Sequence, residues 1–581
     1  MAEVALSGKS LAQALSYYEK AEEYFTRAES PAGLANCRLQ KGIILSMQNN
    51  HAAALRLFDL AVSNGDYPEV RWQSAYQRGI IFEKQNEIEK ARDEYLHAIE
   101  IIEQIRGNLT IEEFRSSYIN NKVDVYDRLV NIYLKLDNPQ AALEVTEKAK
   151  ARTFFEMLAN RKIRFSGEEG DSLISREQES RLRIQQLYKQ LQNIESSSVA
   201  DLDVRQGGKT RISSELNAEQ DNYDRILISL KLSNPDYSRI ITPPEFRADD
   251  IRAAVPADCA VISYWISSEN LFIWCITDKL VVQRTCPIRQ ETLTGLIENA
   301  RTHIATSSPM QAGIELSSLY KYLIEPVEDV LRNKVRLVII PNKGLHFLPF
   351  QALKGNDGKY LIERFALSYE PSLSVFSINK KRVANAGDNF FGAALSDVTV
   401  GLNSGLPGTK DELEKILPLF KDNLSSFGEN STETFVKENI GNFGFIHLAT
   451  HGFFNFENPV YSFLLFPPGE KDDGRLTVHE VFGLRLNSRL VTLSACETGL
   501  GYLDRGDEMV SLSRSFIYSG SSAVIVSLWS VADYQTSLLM TKFYSYIASF
   551  PIDEALAMAQ RDVIKIYPDP LYWAPFILIG E

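Results

Sequence analysis

The chain has 581 residues, of which 44% are hydrophobic and 24% charged, and its formal net charge is −13. This composition is that of a globular protein of several domains and excludes a disordered or collagen-like chain. The acidic balance argues against direct binding to nucleic acid. Five cysteines without a CxxC pair are too few for a disulfide framework, and no apolar run is long enough to span a membrane. MAEVALSGKS also lacks the features of a secretion signal, so we expect a cytoplasmic protein without membrane contacts.

The first part of the chain repeats a pattern of a small residue, an aromatic residue four positions later and a second small residue three positions after that. The copies are Ala21/Phe25/Ala28, Ala54/Phe58/Ala61, Ala91/Tyr95/Ala98 and, with threonine in the aromatic position, Ala142/Thr146/Ala149. In the second and third copies a glycine, Gly42 or Gly79, stands 12 positions before the first alanine. The pattern resembles the tetratricopeptide repeat, a helix–turn–helix of about 34 residues. We therefore predict a helical repeat solenoid over residues 1–165, with a plain helical bundle as the alternative.

A polar region follows the repeats. The stretch from Gly167 to Asn234 predicts two long helices, broken around DVRQGGKT. The prolines in SNPDYSRIITPPEF cannot continue a helix, so the helical part ends there. We predict a helical linker over residues 166–243 and a domain boundary near Pro243.

Strands alternate with helices beyond that boundary. CAVISYWI and LFIWCITD predict a hairpin, and four β-branched apolar runs predict buried strands of a parallel sheet: RLVIIP, FGFIHLAT, RLVTLSA and SSAVIVSLW. A capping box from Thr409 to Glu412 predicts the start of one helix, and Gly520 predicts the end of another. The alternation predicts an α/β domain, which binds ligands at the carboxyl ends of its strands.

Two reactive side chains, His451 and Cys496, directly follow two of these apolar runs. If the two runs are neighbouring parallel strands, both side chains lie together at one edge of the sheet. A thiol beside an imidazole is a nucleophilic arrangement, because the thiolate attacks while the histidine transfers protons. The backbone N–H of Gly452, unobstructed by a side chain, and that of Cys496 are the expected donors to an oxyanion.

Other kinds of site are less consistent with the sequence. A cysteine at a strand end or a single histidine is more often structural, and only the pair indicates catalysis. His447 and His451 have the spacing of zinc ligands on a helix, but the apolar run and glycines favour a strand. We interpret His447 as a core or supporting residue. VALSGKS and VRQGGKT lack the first glycine of a phosphate-binding loop, and no G-x-S-x-G is present. We expect no metal and no cofactor.

A series of ordered motifs carries a family resemblance. The motifs are LHFLPFQAL, YLIERFALSYEPS, HLATHGFF, LSACETGLG, SLWSVAD and YWAPFILIG. Together they resemble the CHAT family, caspase-like peptidases commonly attached to tetratricopeptide repeats, over roughly residues 245–581. The resemblance implies a caspase-like fold with an inactive pseudo-protease half at residues 244–385 and an active half at residues 386–581.

The same resemblance implies roles for individual residues. His451 is the expected general base or acid, Cys496 the nucleophile, and Gly452 with Cys496 the oxyanion hole. Caspases have Q-A-C-x-G around the nucleophile, with the histidine about 50 residues upstream. Here the sequence is SACETG, and His451 lies 45 residues before Cys496. Because the acidic Glu497 follows the cysteine, the caspase preference for aspartate cannot be transferred to this chain.

Three residues are expected to contact the substrate: Glu497, Trp529 and Asp533. Trp529 and Asp533 belong to SLWSVAD, which follows the strand after the nucleophile. Related peptidases that select a basic residue before the cleaved bond use acidic side chains near this position, so the resemblance implies the same preference here. The alternative for Asp533 is that it only caps the helix that follows it.

Two functional hypotheses result. The first is a Cys–His endopeptidase that cleaves a protein partner, is controlled by a second protein bound to the repeats and acts, by analogy, in bacterial defence or regulated cell death. The second is a catalytically silent scaffold, in which the repeats bind a partner and the caspase-like part only packs.

Overall fold

The computed structural model describes residues 10–63, 65, 67–108, 122–150, 248–380, 386–396, 400, 406–453, 462–469, 471–494, 510–529 and 533–580, together with nine separate positions between 176 and 222. The chain forms two compact units, Met1–Glu245 and Phe246–Glu581. No helix in these described ranges has both the length and the hydropathy needed to cross a membrane.

The first unit consists of consecutive helices that pack in pairs. The helices are α1 (Leu11–Arg27), α2 (Pro31–Met47), α3 (His51–Val62), α4 (Pro68–Lys84), α5 (Ile88–Asn108), α6 (Val123–Lys135) and α7 (Pro139–Ala149). Helix α2 packs against α3, α4 against α5, and α6 against α7. Prolines at the first positions of α2, α4 and α7 suit a helix start, because that position needs no backbone N–H partner.

The glycines of the repeat lie against aromatic rings of the paired helices. A Cβ at Gly42 would lie 2.5 Å from the ring of Phe58, and a Cβ at Gly79 would lie 2.4 Å from the ring of Tyr95. Real Cβ atoms do not approach ring carbons so closely, and any side chain at these positions would push the helices apart. The close packing of the paired helices at Gly42 and Gly79 therefore depends on the absence of a side chain there.

The region after the repeats is helical at the positions that the structure describes: Arg176, Ser180, Arg183, Leu187, Arg211, Ile212, Glu215, Glu219 and Asn222. Ser180 donates a hydrogen bond to Glu219, whereas Arg183 pairs with Glu215 at 3.8 Å. The later residue of the first segment, Arg183, contacts the earlier residue of the second, Glu215, so the two helical segments are antiparallel. The predicted break at DVRQGGKT lies outside the described residues.

The second unit is organised around an eleven-stranded sheet in the part of the chain that the structure describes. Its order is β3-β2-β1-β4-β5-β14-β13-β12-β8-β6-β7. The strands are β1 (Cys259–Ile266), β2 (Leu271–Ile276), β3 (Val281–Cys286), β4 (Arg336–Ile340), β5 (Ala366–Tyr369), β6 (Phe390–Ala394), β7 (Asn423–Phe427), β8 (Phe445–Ala449), β12 (Ser488–Ser494), β13 (Ser521–Ser527) and β14 (Phe576–Gly580). A smaller sheet in the order β11-β10-β9 contains β9 (Gly452–Phe453), β10 (Phe463–Leu465) and β11 (Arg475–Thr477).

The large sheet contains two parallel blocks of opposite direction. Strands β1, β4, β5 and β14 are parallel to one another, and β1 also forms the predicted antiparallel hairpin with β2. Strands β13, β12, β8, β6 and β7 form the second parallel block. The blocks meet at β14 and β13, which are antiparallel. The carboxyl ends of the two blocks therefore lie at opposite edges of the sheet.

Helices cover this sheet. They are α8 (Ala248–Ala254), α9 (Gln290–Ala305), α10 (Pro309–Leu323), α11 (Leu373–Asn379), α12 (Pro407–Ile416), α13 (Glu433–Asn439), α14 (Val478–Gly483), α15 (Val510–Ser519), α16 (Asp533–Ile547), α17 (Ile552–Ile566) and α18 (Pro570–Trp573). Helix α16 packs against both α12 and α17. Helix α15 ends before Gly520, whose φ of +125° confirms the predicted stop.

The predicted capping box at Thr409 is wrong. Helix α12 begins at Pro407, so Thr409 lies within the first turn, and its hydroxyl donates to the Leu406 carbonyl at 2.6 Å. Glu412 does not reach back to the helix start. Its side chain is turned into the core, where only 1% of the residue is exposed.

Candidate active site

The strands that precede the predicted dyad are neighbours. Strands β8 and β12 are parallel, and their register places His447 opposite Thr492 and Ala449 opposite Ser494. Every residue of β8 is buried, and β8 is a central strand with β6 and β12 on either side. The predicted adjacency of the two runs is therefore confirmed, and both strands end at the same edge of the sheet.

The backbone around His451 is held by the smaller sheet. His451 lies between β8 and β9 with 8% of its surface exposed, and its carbonyl accepts a hydrogen bond from the Leu465 N–H at 2.9 Å. Gly452 is opposite Leu464 in the ladder of β9 and β10. The ring centroids of His451 and Phe453 are 6.4 Å apart. The chain that carries the histidine is thus attached to β10 immediately after it leaves β8.

The other predicted site residues are placed less completely. Cys496 and Glu497 lie outside the described residues. Asp533 is the first residue of α16, but its side chain is not described. Trp529 follows β13, is 7% exposed and donates its indole N–H to the Leu571 carbonyl at 3.1 Å. The described structure thus brings His451 and Gly452 to the edge where β12 ends, and it connects Trp529 to α18.

A buried polar network beneath the strand ends was not predicted from the sequence. Ser494 donates its hydroxyl to Oε1 of Glu412 at 2.8 Å. The same Oε1 lies 2.7 Å from Nε2 of His447. This is the distance of an ion pair, but the two groups lack the angular geometry of a hydrogen bond. A single carboxylate oxygen therefore contacts a side chain from each of the two strands.

Tyr544 of α16 contacts the same pair of strands. Its hydroxyl lies 3.2 Å from Nδ1 of His447 and 2.8 Å from the hydroxyl of Thr492. Burial raises the pKa of the Tyr544 phenol well above its ordinary value, and the charge of Glu412 adds to the rise. The phenol is therefore neutral at physiological pH. His447 is a buried supporting residue, as predicted, and it lies on a strand rather than on a helix.

A second polar cluster lies elsewhere in the domain. The carboxylates of Glu433, Asp472 and Glu480 are within 4.8 Å of one another. The Lys437 ammonium lies 2.7 Å from Asp472 and 3.4 Å from each of the other two. Burial, with a contribution from the charge of Glu480, raises the pKa of Glu433 to about 7. Because the Lys437 ammonium contacts all three carboxylates, we interpret the cluster as a structural connection between α13, the turn before β11 and α14.

The four cysteines that the structure describes are poor candidates for a nucleophile. Cys37, Cys259, Cys275 and Cys286 are all buried. Burial raises the pKa of the Cys259 thiol to about 11 and that of the Cys275 thiol to about 12. It also raises the pKa values of Cys37 and Cys286. Thiols of this kind are protonated at neutral pH, and the thiolate is the reactive form.

Comparison with other proteins identifies the second half of the chain. Residues 314–581 match the family model of the CHAT domain. The chain is 21% identical to tetratricopeptide repeat protein 28 of Mus musculus in an alignment of length 588 that covers 85% of this chain and 24% of that protein. It is 24% identical to the protein of the same name from Homo sapiens in an alignment of length 381 that covers 53% of this chain and 15% of that protein. The chain thus spans a quarter or less of the length of these relatives.

Similar solved structures include two crystal structures of the Saccharomyces cerevisiae separase–securin complex. Their TM-scores are 0.40 and 0.38, with 10% and 9% sequence identity. The alignments cover 95% and 100% of this chain but 50% and 53% of those chains. Residues 314–581 thus match the CHAT domain, and the relatives that the chain resembles are named as tetratricopeptide repeat proteins.

Proposed function

We propose that the protein is a cysteine endopeptidase that uses His451 and Cys496 to cleave a protein partner. One observation carries the proposal: β8 and β12 are adjacent and parallel, with Ala449 opposite Ser494. His451 and Cys496 each follow one of these paired residues by two positions. Neighbouring strands lie about 4.8 Å apart, which supports contact between an imidazole and a thiol just beyond their ends.

The proposed reaction is acyl transfer through a thioester. The His451 imidazole takes the proton of the Cys496 thiol, and the thiolate attacks the carbonyl carbon of the scissile peptide bond. The N–H groups of Gly452 and Cys496 donate to the oxyanion of the tetrahedral intermediate. As the carbon–nitrogen bond breaks, His451 gives its proton to the leaving amine. Water, deprotonated by His451, then hydrolyses the thioester and restores the thiol.

The other thiols support this choice of nucleophile by contrast. The sequence contains five cysteines, and the four described ones are buried with raised pKa values. Cys496, which follows the last residue of β12 by two positions in the sequence, is the remaining candidate. No metal or cofactor enters the proposed reaction.

For the substrate, we propose that Glu497 and Asp533 face the peptide and favour a basic residue before the cleaved bond. Asp533 begins α16 directly after the segment that follows β13, the strand next to β12. Trp529, buried beside α18, is proposed as a wall of the same groove rather than as a mobile contact.

We also propose that a protein bound to the repeats controls the peptidase. The close glycine–aromatic packing of the helices supports a solenoid surface of the kind that binds proteins. A permanently active cytoplasmic endopeptidase would damage its own cell, which supports control by a partner. The family resemblance supports a setting in bacterial defence or regulated cell death.

The test uses cleavage products rather than a known substrate. Cell extract is incubated with the wild-type chain, with Cys496→Ala or with His451→Ala, and new protein N-termini are identified by mass spectrometry. We expect a set of N-termini that appears only with the wild type. The same set in the presence of Cys496→Ala would refute the assignment of the nucleophile. No new N-termini, together with iodoacetamide labelling of Cys496 no faster than that of the buried cysteines, would favour the silent scaffold.

A further inference from the structure

The Glu412 carboxylate joins the two strands from which the proposed dyad emerges. We propose that Glu412 is a positioning residue that fixes the separation of the β8 and β12 ends, and with it the contact between His451 and Cys496. This inference deepens the proposed function and rests on it. Glu412 acts through the strands and not by contact with the reacting atoms.

The geometry of the carboxylate supports this role. Its Oε1 accepts the Ser494 hydroxyl at 2.8 Å and lies 2.7 Å from the His447 imidazole. Ser494 is the last residue of β12, two positions before Cys496, and His447 is four positions before His451. The connection is therefore made close to the point where each strand ends, and a change in it is transmitted over a few residues.

Burial makes the connection stiff. The side chains of Glu412 and His447 are 2% and 0% exposed, and the Ser494 residue is 1% exposed. A buried carboxylate needs polar partners, because burying a charged group without them is unfavourable. The Ser494 hydroxyl donates to Oε1 of Glu412, and the His447 ring lies at ion-pair distance from the same oxygen. Separation of the two strands would remove a donor from the carboxylate, so the network opposes that movement.

A second contact, on the other ring nitrogen, holds the histidine in place. Tyr544 lies 3.2 Å from Nδ1 of His447 and 2.8 Å from Thr492, the residue opposite His447 in the ladder. The two helices that carry Glu412 and Tyr544 also pack together, with Lys415 Nζ 3.3 Å from the Ser537 hydroxyl. The His447 ring thus lies between a carboxylate and a phenol, and both connect β8 to β12.

The experiment changes the charge of Glu412 with little change in its shape. Glu412→Gln keeps the volume and one carbonyl oxygen but removes the carboxylate charge that faces His447. Glu414→Gln is the matched control, since Glu414 is an exposed acidic residue on the same helix. Each full-length variant is treated with iodoacetamide over a range of pH, and the alkylation rate of Cys496 is followed by mass spectrometry of its peptide.

The pH midpoint of alkylation reports how closely the thiolate and His451 pair. In the wild type we expect a midpoint below the ordinary cysteine value of about 8.5, because the imidazolium stabilises the thiolate. In Glu412→Gln we expect the midpoint to move about one pH unit towards that value, which lowers the rate near neutral pH about tenfold. Glu414→Gln should match the wild type. A change in packing alone would lower the thermal stability without this shift of the midpoint.

A folded Glu412→Gln variant with the wild-type midpoint would overturn the proposal. If Glu412→Gln does not fold, Ser494→Ala takes its place, since it removes one hydroxyl from the same oxygen. A smaller shift in the same direction would then support the proposal, and no shift would overturn it.

His451→Ala separates this inference from the proposed function. If the wild-type midpoint equals that of His451→Ala, there is no thiolate–imidazolium pair and the proposed function itself fails. If His451→Ala shifts the midpoint but the Glu412 and Ser494 variants do not, the dyad stands and only the positioning role is lost.

Discussion

Ala449 lies directly opposite Ser494 in the parallel ladder of β8 and β12. This pairing aligns two strands that are far apart in the sequence, so that β8 and β12 end side by side at the same edge of the sheet. In an open α/β sheet, that edge is where ligands and catalytic groups are found.

The first prediction concerns the dyad. Cys496→Ala and His451→Ala should each lower cleavage by at least about a thousandfold, because a nucleophile and its base act as a unit. Cys286→Ala is the control: this thiol is buried at the end of β3, an edge strand of the sheet outside the block of β8 and β12, and should be dispensable. Cleavage is measured as the appearance of wild-type N-termini, and circular dichroism checks the fold. Retention of cleavage by Cys496→Ala would contradict the assignment.

The second prediction concerns substrate preference. If Asp533 contacts the residue before the cleaved bond, Asp533→Ala should weaken the preference for lysine and arginine among the cleavage sites. If Asp533 only stabilises the start of α16, the preference is retained and the stability falls by about 1 kcal/mol. Glu554→Ala, in the first turn of α17, is the matched control for loss of an acidic residue at a helix start. The sequences of the cleaved sites distinguish the two outcomes.

The third prediction concerns helix packing in the repeats. Gly79→Ala should destabilise this part of the chain by about 1–3 kcal/mol, because its Cβ would meet the Tyr95 ring at 2.4 Å. Gly295→Ala on α9 is the control: nothing lies within 4 Å of its Cβ, and alanine favours a helix. Hydrogen exchange should quicken in α4 and α5 only in the first variant. Unchanged exchange in Gly79→Ala would show that the helices can separate at no cost.

The fourth prediction concerns pH. The pKa of Glu433 is raised from 4.5 to about 7, so the folded state binds a proton that the unfolded state releases between these values. Folding stability should therefore fall as the pH rises through this window, by at most about 1.4 kcal/mol per pH unit. Glu433→Gln should flatten this dependence. The exposed Glu438, on the same helix, offers Glu438→Gln as the control. Urea unfolding at both ends of the window measures the effect, and equal slopes in wild type and Glu433→Gln would contradict it.

Much of the secondary structure could be predicted because its signals are local. FGFIHLAT and RLVTLSA are short apolar runs of β-branched residues, and such runs form buried strands wherever helices cover both faces. The second and third repeats could be recognised because a glycine and an aromatic residue recur in them at the same spacing. Strands of two or three residues, such as β9 at Gly452–Phe453, have no such periodicity and were not predicted.

The supporting network could not be predicted for a different reason. Glu412, His447 and Ser494 come from three elements, and only the tertiary structure brings them to one oxygen atom. The sequence from Thr409 to Glu412 even predicts a different role for Glu412, because the same residues at this spacing are compatible both with a capping box at a helix start and with a position inside the first turn. Pro407, which occupies the first helical position, sets the start of α12 and leaves Glu412 facing the core.

Strand β14 has a consequence for the synthesis of the protein. It lies between β5 and β13, although every other strand of the sheet precedes it in the chain. Until the ribosome has released Phe576–Gly580, β5 and β13 each present an unpaired edge, and such edges readily pair with other chains. The nascent domain is therefore exposed to aggregation until this strand has been synthesised, which makes it a natural client for chaperones.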